Sequence, residues 1–152
     1  MLKLDDRMND LAGRVIGAAI EVHRTLGPGY LESIYEEALC VELSLRGVSF
    51  VRQMPFEVRY KGLVVGSGRL DLMVEGVLVV ELETVDPVLD IHRAQVFSCL
   101  GATGSSLGLV LNFKAATLKE VIERIIWTPL ASSRSLSVPS VPPRFIQGVN
   151  TL

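Results

Sequence analysis

The chain predicts an α/β (α+β) domain with one mixed sheet flanked by helices. Three observations carry that expectation. Apolar residues recur at helical spacing over 6–26 and again over 31–46. From 48 to 83 the pattern becomes extended runs rich in Val and Leu. Beyond Asp86-Pro87, helical and extended segments alternate once more. The expected order is α, α, β, β, β, α, β, α, and 152 residues suit one domain able to bury its own core.

In the first helix, Asp6 to Leu26, the residues Leu11, Val15, Ala18, Val22 and Leu26 form one stripe. Gly27-Pro28-Gly29 ends it, because proline cannot continue the hydrogen-bond ladder. The second helix is expected from Leu31 to Arg46, with Ile34, Ala38, Val41 and Leu45 inward and Gly47 as the stop. Val48 to Tyr60 reads as a strand interrupted at Pro55, and Lys61-Gly62 as a turn. Leu63 to Gly66, Arg69 to Val74 and Val77 to Glu83 read as extended, the last two joined at Glu75-Gly76. Leu89 to Leu100 reads as a helix stacked on Leu89, Arg93, Val96 and Leu100, and Ser106 to Phe113 as a buried strand. Thr117 to Ile126 reads as a last helix, with Thr117 as N-cap and Glu120 completing a capping box. GATGSSLG lacks the GK[ST] ending of a phosphate loop and reads as a connecting turn. Residues 1–127 are expected to form the single domain, and the Pro- and Ser-containing 128–152 a flexible tail.

A net charge of -2 and a pI near 5.7 argue against a protein that coats nucleic acid non-specifically. They leave room for a nuclease, whose acidic metal site lowers the net charge. No uncharged run of 18 apolar residues predicts a membrane span, and the charged start MLKLDDRMND is unlike a signal peptide. Cys40 and Cys99 have no CxxC spacing, which fits a reducing cytoplasm better than a disulfide framework or zinc site. Arg52, Arg59 and Lys61 are read as a solvated face rather than a groove.

The segment SGRLDLMVEGVLVVELETV, 67–85, carries the chemistry. Asp71 interrupts one apolar strand, and Glu81 and Glu83 share a face at the end of the next. A carboxylate among Val and Leu loses hydration at a cost of several kcal/mol unless it is paired, protonated or bound to a cation. Mg²⁺ takes oxygen ligands, often one or two carboxylates with waters and substrate phosphate. Parity sets a condition. A two-residue turn at Glu75-Gly76 places Asp71 opposite Val80, whereas a three-residue turn places it opposite Glu81. The metal reading therefore predicts the odd loop. Its rivals are ion pairing with Arg69 or Arg93, or two partly solvated strand ends. A further constellation is GYLESIY, 29–35, in which Glu32 opens a helix and Tyr35 follows on the same side.

LAGRVIGAAIEVHRTLGPGYLESIYEEAL, then RLDLMVEGVLVVELE, then HRAQVFSCL, resembles the GxxExxY protein family over about residues 7–126. That family is placed in the PD-(D/E)XK nuclease superfamily. The resemblance implies an αβββαβ core with an extra N-terminal helix. It also implies that Asp71 and Glu81 hold Mg²⁺ or Mn²⁺, with Glu32 as a third acidic ligand or water anchor. Gln95 matches the glutamine of a QxxxY motif that helps order the site, but the tyrosine place is Cys99. His92 reads as a helix-face histidine at the rim. The main departure is Glu83, which stands where the family pattern E-L-K has lysine. Three consequences stay open: Glu83 acts as a base or further ligand, a cation from Arg69, Arg93, Lys61 or Lys114 reaches the site, or cleavage is lost. The function read from the sequence is a metal-dependent nuclease acting on DNA or RNA, with catalysis impaired if no group replaces the lysine. The rival is a non-catalytic nucleic-acid-binding or protein-interaction module on the same fold. A third reading, an unrelated α/β domain, requires Glu32, Asp71 and Glu81 to point to separate regions.

Overall fold

A computed structural model describes residues 5–85, 90–117 and 122–127. Helix α1 (Asp6–Leu26) starts at Asp5, whose carboxylate accepts from the Arg7 N–H, and ends at Gly27 with φ of 72°. Its expected stripe is buried at Leu11, Val15, Ala18 and Val22. Helix α2 (Glu32–Leu45) turns a different face inward from the one expected. Tyr35, Glu36, Leu39, Cys40 and Leu43 are buried, whereas Ile34, Val41 and Leu45 are exposed. Both stripes have helical spacing, so periodicity alone could not choose. Tyr35 decides, because its ring stacks on Phe113 at 4.6 Å and its hydroxyl donates to the Gly27 carbonyl at 2.5 Å.

Strands β1 (Phe50–Tyr60) and β2 (Leu63–Val74) make a long antiparallel hairpin around Lys61-Gly62. Pro55 does not break β1, because β1 is the sheet's edge and one side of the strand needs no donors. The two short extended segments expected over 63–74 are one continuous strand. Strand β3 (Leu78–Glu83) follows a three-residue turn, with Val74 paired to Leu78. Glu75 and Gly76 take φ of 52° and 71° there, and the Val77 N–H closes the turn on the Val74 carbonyl at 3.0 Å. This is the odd loop that the metal reading requires. Helix α3 (Asp90–Thr103) crosses over to β4 (Leu107–Asn112), parallel to β3. Gly108 on β4 is packed so close to α3 that an added Cβ would lie 2.6 Å from Val96 Cγ1.

The expected helix over 117–126 is corrected at its C-terminal half. Ile122–Ile126 is a fifth strand, β5, antiparallel to β4, while 118–121, including Glu120, lie outside the described residues. The physical reason is alternation: Ile122 packs with one core and Ile125 and Trp127 with the other. A strand there also covers the free edge of β4. The expected tail at 128–152 lies outside the described residues as well.

The sheet order is β1-β2-β3-β4-β5. One core joins α1 and α2 to Leu72, Val74, Leu78, Val80, Leu82, Leu107, Leu109 and Leu111. The other joins α3 to Phe56, Leu70, Met73, Val79 and Val110. The hairpin changes sides within its length. Phe50, Leu72 and Val74 pack with α1 and α2, whereas Met54, Phe56 and Leu70, of the same parity, pack with α3. Gln53 and Asp71 lie between these groups, at the crossing point.

Candidate active site

Helix α2 and strands β2 and β3 bring Glu32, Asp71, Glu81 and Glu83 into one electrostatic neighbourhood. The strands fork where the carboxylates stand. The β2–β3 ladder runs from Val74↔Leu78 to Leu72↔Val80. Beyond it the Asp71 N–H donates to Glu81 Oε1 at 3.3 Å, and the Leu82 N–H donates to Asp71 Oδ2 at 2.8 Å. Two side chains thus satisfy backbone groups that a continued ladder would have paired. The end of β3 is fixed by the Phe113 N–H, which donates to the Glu83 carbonyl at 2.9 Å. The buried Asn112 amide, donating to the Val85 carbonyl at 2.6 Å, holds the chain leaving the strand.

Crowding and burial raise all four acids. Glu32 is pushed up to about 7, first by burial and then by the charges of Asp71, Glu83 and Glu36. Glu83 is also pushed up to about 7, by burial and by Asp71. Burial raises Asp71, although the Leu82 N–H opposes the shift by favouring the charged form. Glu81 is raised well above the ordinary carboxylate range, first by burial and then by Asp71. Burial raises the Cys99 thiol too, which keeps it neutral beside Glu81 and Asp71.

The donor set is therefore carboxylate oxygen, which suits Mg²⁺ or Mn²⁺ rather than a thiophilic ion. Among the described residues, no three His, Cys, Asp or Glu side chains are gathered closely enough to chelate one ion as they stand. Asp71 and Glu81 are turned instead onto the backbone N–H groups of the fork. Gln95 is half-buried on α3, and no hydrogen bond links it to the carboxylates among the described residues. His92 lies on the same helix, half-buried.

The candidate replacement cations are placed elsewhere or left exposed. Arg93 binds Glu123 through two hydrogen bonds of 2.5 and 2.7 Å and also meets Asp90. Lys61 sits 5.4 Å from the centre of the Tyr60 ring at the hairpin tip, and Arg69 is exposed. The Arg52 guanidinium lies 2.8 Å from both Glu36 and Glu37, and Arg59 is paired with Glu57.

Two neighbours of the site were not singled out in the sequence. Glu36 lies one turn after Glu32 on α2, and Gln53 lies opposite Asp71 across the hairpin. The Gln53 amide donates to Glu36 Oε1 at 2.7 Å and to Asp71 Oδ1 at 3.4 Å. The available signals were the i,i+4 spacing of Glu32 and Glu36 and the register that places 53 against 71. Tyr35 supports Glu32 from behind: its hydroxyl accepts from the Tyr30 N–H at 3.2 Å while donating to Gly27, which fixes the turn into α2.

No curated protein matches the sequence. The crystal structure of SSO0001 is similar over 78% of this chain and 59% of its own, with 18% identity and a TM-score of 0.48. This chain thus spans under two thirds of that protein. The sequence profile of the PD-(D/E)XK nuclease superfamily matches residues 9–125. Over that span, which holds the forked strands and all four acids, the chain belongs to the PD-(D/E)XK nuclease superfamily.

Proposed function

We propose that this is a divalent-metal-dependent nuclease domain of GxxExxY type, acting on phosphodiester bonds of DNA or RNA. The observation that carries the reading is the β2–β3 fork, where the Asp71 and Glu81 carboxyls accept backbone N–H groups and crowd beside Glu32 and Glu83. Asp71 and Glu81 would hold Mg²⁺ or Mn²⁺, with Glu32 as the third acidic group. When bound, the ion polarises the scissile phosphate and offsets its charge.

Glu83 accepts the proton of the attacking water. A group pushed up to about 7 is well matched to that task near neutral pH. Gln95, on the helix that packs beside the fork, orients the substrate or water from the α3 side. Mn²⁺-dependent cleavage of single- and double-stranded DNA and of RNA tests the assignment. Asp71→Ala should lower the rate by about a hundredfold or more. Undiminished cleavage in that variant excludes this site.

A second reading rests on Glu83 itself, because a negative charge at the lysine place repels a phosphodiester. In that reading the chain keeps the fold and binds nucleic acid or protein without cutting. Glu83→Lys separates the two. A loss of cleavage makes Glu83 the working group, and cleavage seen only in the variant marks a fold that has lost its activity.

A further inference from the structure

Gln53 is the one non-glycine residue with positive φ that lies within a strand rather than a turn among the described residues, at 50°. A side chain is strained in that region, and β1 would be relaxed by extended geometry or by glycine. The strain falls where the hairpin crosses from one core to the other, directly opposite Asp71. What the conformation achieves is visible in the contacts. It turns the Gln53 amide toward Glu36 Oε1 at 2.7 Å and Asp71 Oδ1 at 3.4 Å. Only the NH₂ end of the amide can face two carboxylates, since its oxygen would be repelled by both. Glu36 is held in turn by Arg52 at 2.8 Å, and Arg52 also meets Glu37 at 2.8 Å.

We infer that Gln53 is a positioning residue for the cation site, part of a chain Arg52–Glu36–Gln53–Asp71 that fixes the Asp71 carboxylate from α2 and the edge strand. The Leu82 N–H holds one Asp71 oxygen and Gln53 the other, so the rotation of the carboxyl is set from both sides. Outer hydrogen bonds of this kind orient ligands and tune affinity for the ion. The inference rests on the metal reading above and deepens it, by adding residues from β1 and a second turn of α2 to the site. It also gives the backbone strain at Gln53 a use: strain persists where the surroundings impose it and concentrates at functional sites.

The test is Mn²⁺ affinity, read by electron paramagnetic resonance of the free ion, together with the melting temperature of the metal-free chain. Wild type, Gln53→Gly and Gln53→Ala are compared. Gln53→Gly should melt at the same temperature as wild type or higher, since glycine accepts the positive φ. It should nevertheless bind Mn²⁺ about tenfold or more weakly, and Gln53→Ala should share that loss. A merely structural residue would not separate the two readouts. Affinity within twofold of wild type in both variants overturns the inference and leaves the metal reading standing. So does a Gln53→Gly chain that loses stability and affinity together. A wild type that binds no Mn²⁺ overturns the metal reading first and this inference with it.

Discussion

Glu32 and Glu83 gain their unusual acidity from the fold, and that makes stability depend on pH in a definite direction. Both titrate near 7 when folded, against 4.5 ordinarily. The folded chain therefore holds their protons more tightly than the unfolded chain does. Their favourable contribution is complete below about 4.5 and is lost as pH rises through 7. Asp71 and Glu81 are shifted in the same sense. Thermal melts of the metal-free protein should show higher stability near pH 5 than near pH 8. Mn²⁺ should raise the melting temperature more at the higher pH, where the carboxylates are charged. A metal-free melting temperature that climbs steadily toward pH 8 would contradict this account. Tyr35 offers a second check. Tyr35→Phe keeps the ring on Phe113 but removes the donor to Gly27 and the acceptor for Tyr30. The expected loss is about 1–2 kcal/mol by chemical denaturation. Because that turn leads into Glu32, weaker Mn²⁺ binding should accompany it.

At the scale of elements, the sheet was legible where polarity and parity spoke together. Asp71, Glu81 and Glu83 stand out in apolar strands, and placing Asp71 opposite Glu81 demanded a three-residue turn, which Glu75-Gly76-Val77 provides. The buried face of α2 was not legible, because two stripes share the helical period and only the stacking of Tyr35 on Phe113 selects one. IERII was misread for a related reason: a capping pattern upstream outweighed an alternation only five residues long. Gln53 was not legible because its role depends on a register and a positive φ that no local pattern announces, whereas Glu36 was signalled only by its i,i+4 spacing from Glu32. Gly108 is instructive in the same way. The sequence assigns it both to the connecting turn GATGSSLG and to the buried strand Ser106 to Phe113, and it lies within β4, where α3 leaves no space for a Cβ. Gly108→Ala should cost about 1–3 kcal/mol in denaturant unfolding, since Val96 must move. A neutral effect would show that α3 shifts freely over the sheet.

Across the whole molecule, two helices cover one side of the sheet and a third covers the other, with the carboxylates at the fork between β2 and β3. The pieces of the site come from widely separated stretches of chain: the start of α2, the edge strand, and the two forked strands. Folding to a complete sheet is therefore what concentrates negative charge in one place. A cation bound among these acids relieves the resulting repulsion by displacing the protons that they hold, so binding and deprotonation should be coupled. The decisive measurement is titration calorimetry of Mn²⁺ into wild type and Asp71→Asn near pH 7, repeated in two buffers of different ionisation enthalpy. Wild type should bind Mn²⁺ with release of protons, and Asp71→Asn should bind at least about tenfold more weakly. Equal affinity in the two proteins, or binding without proton release, would contradict a cation site built on these acids.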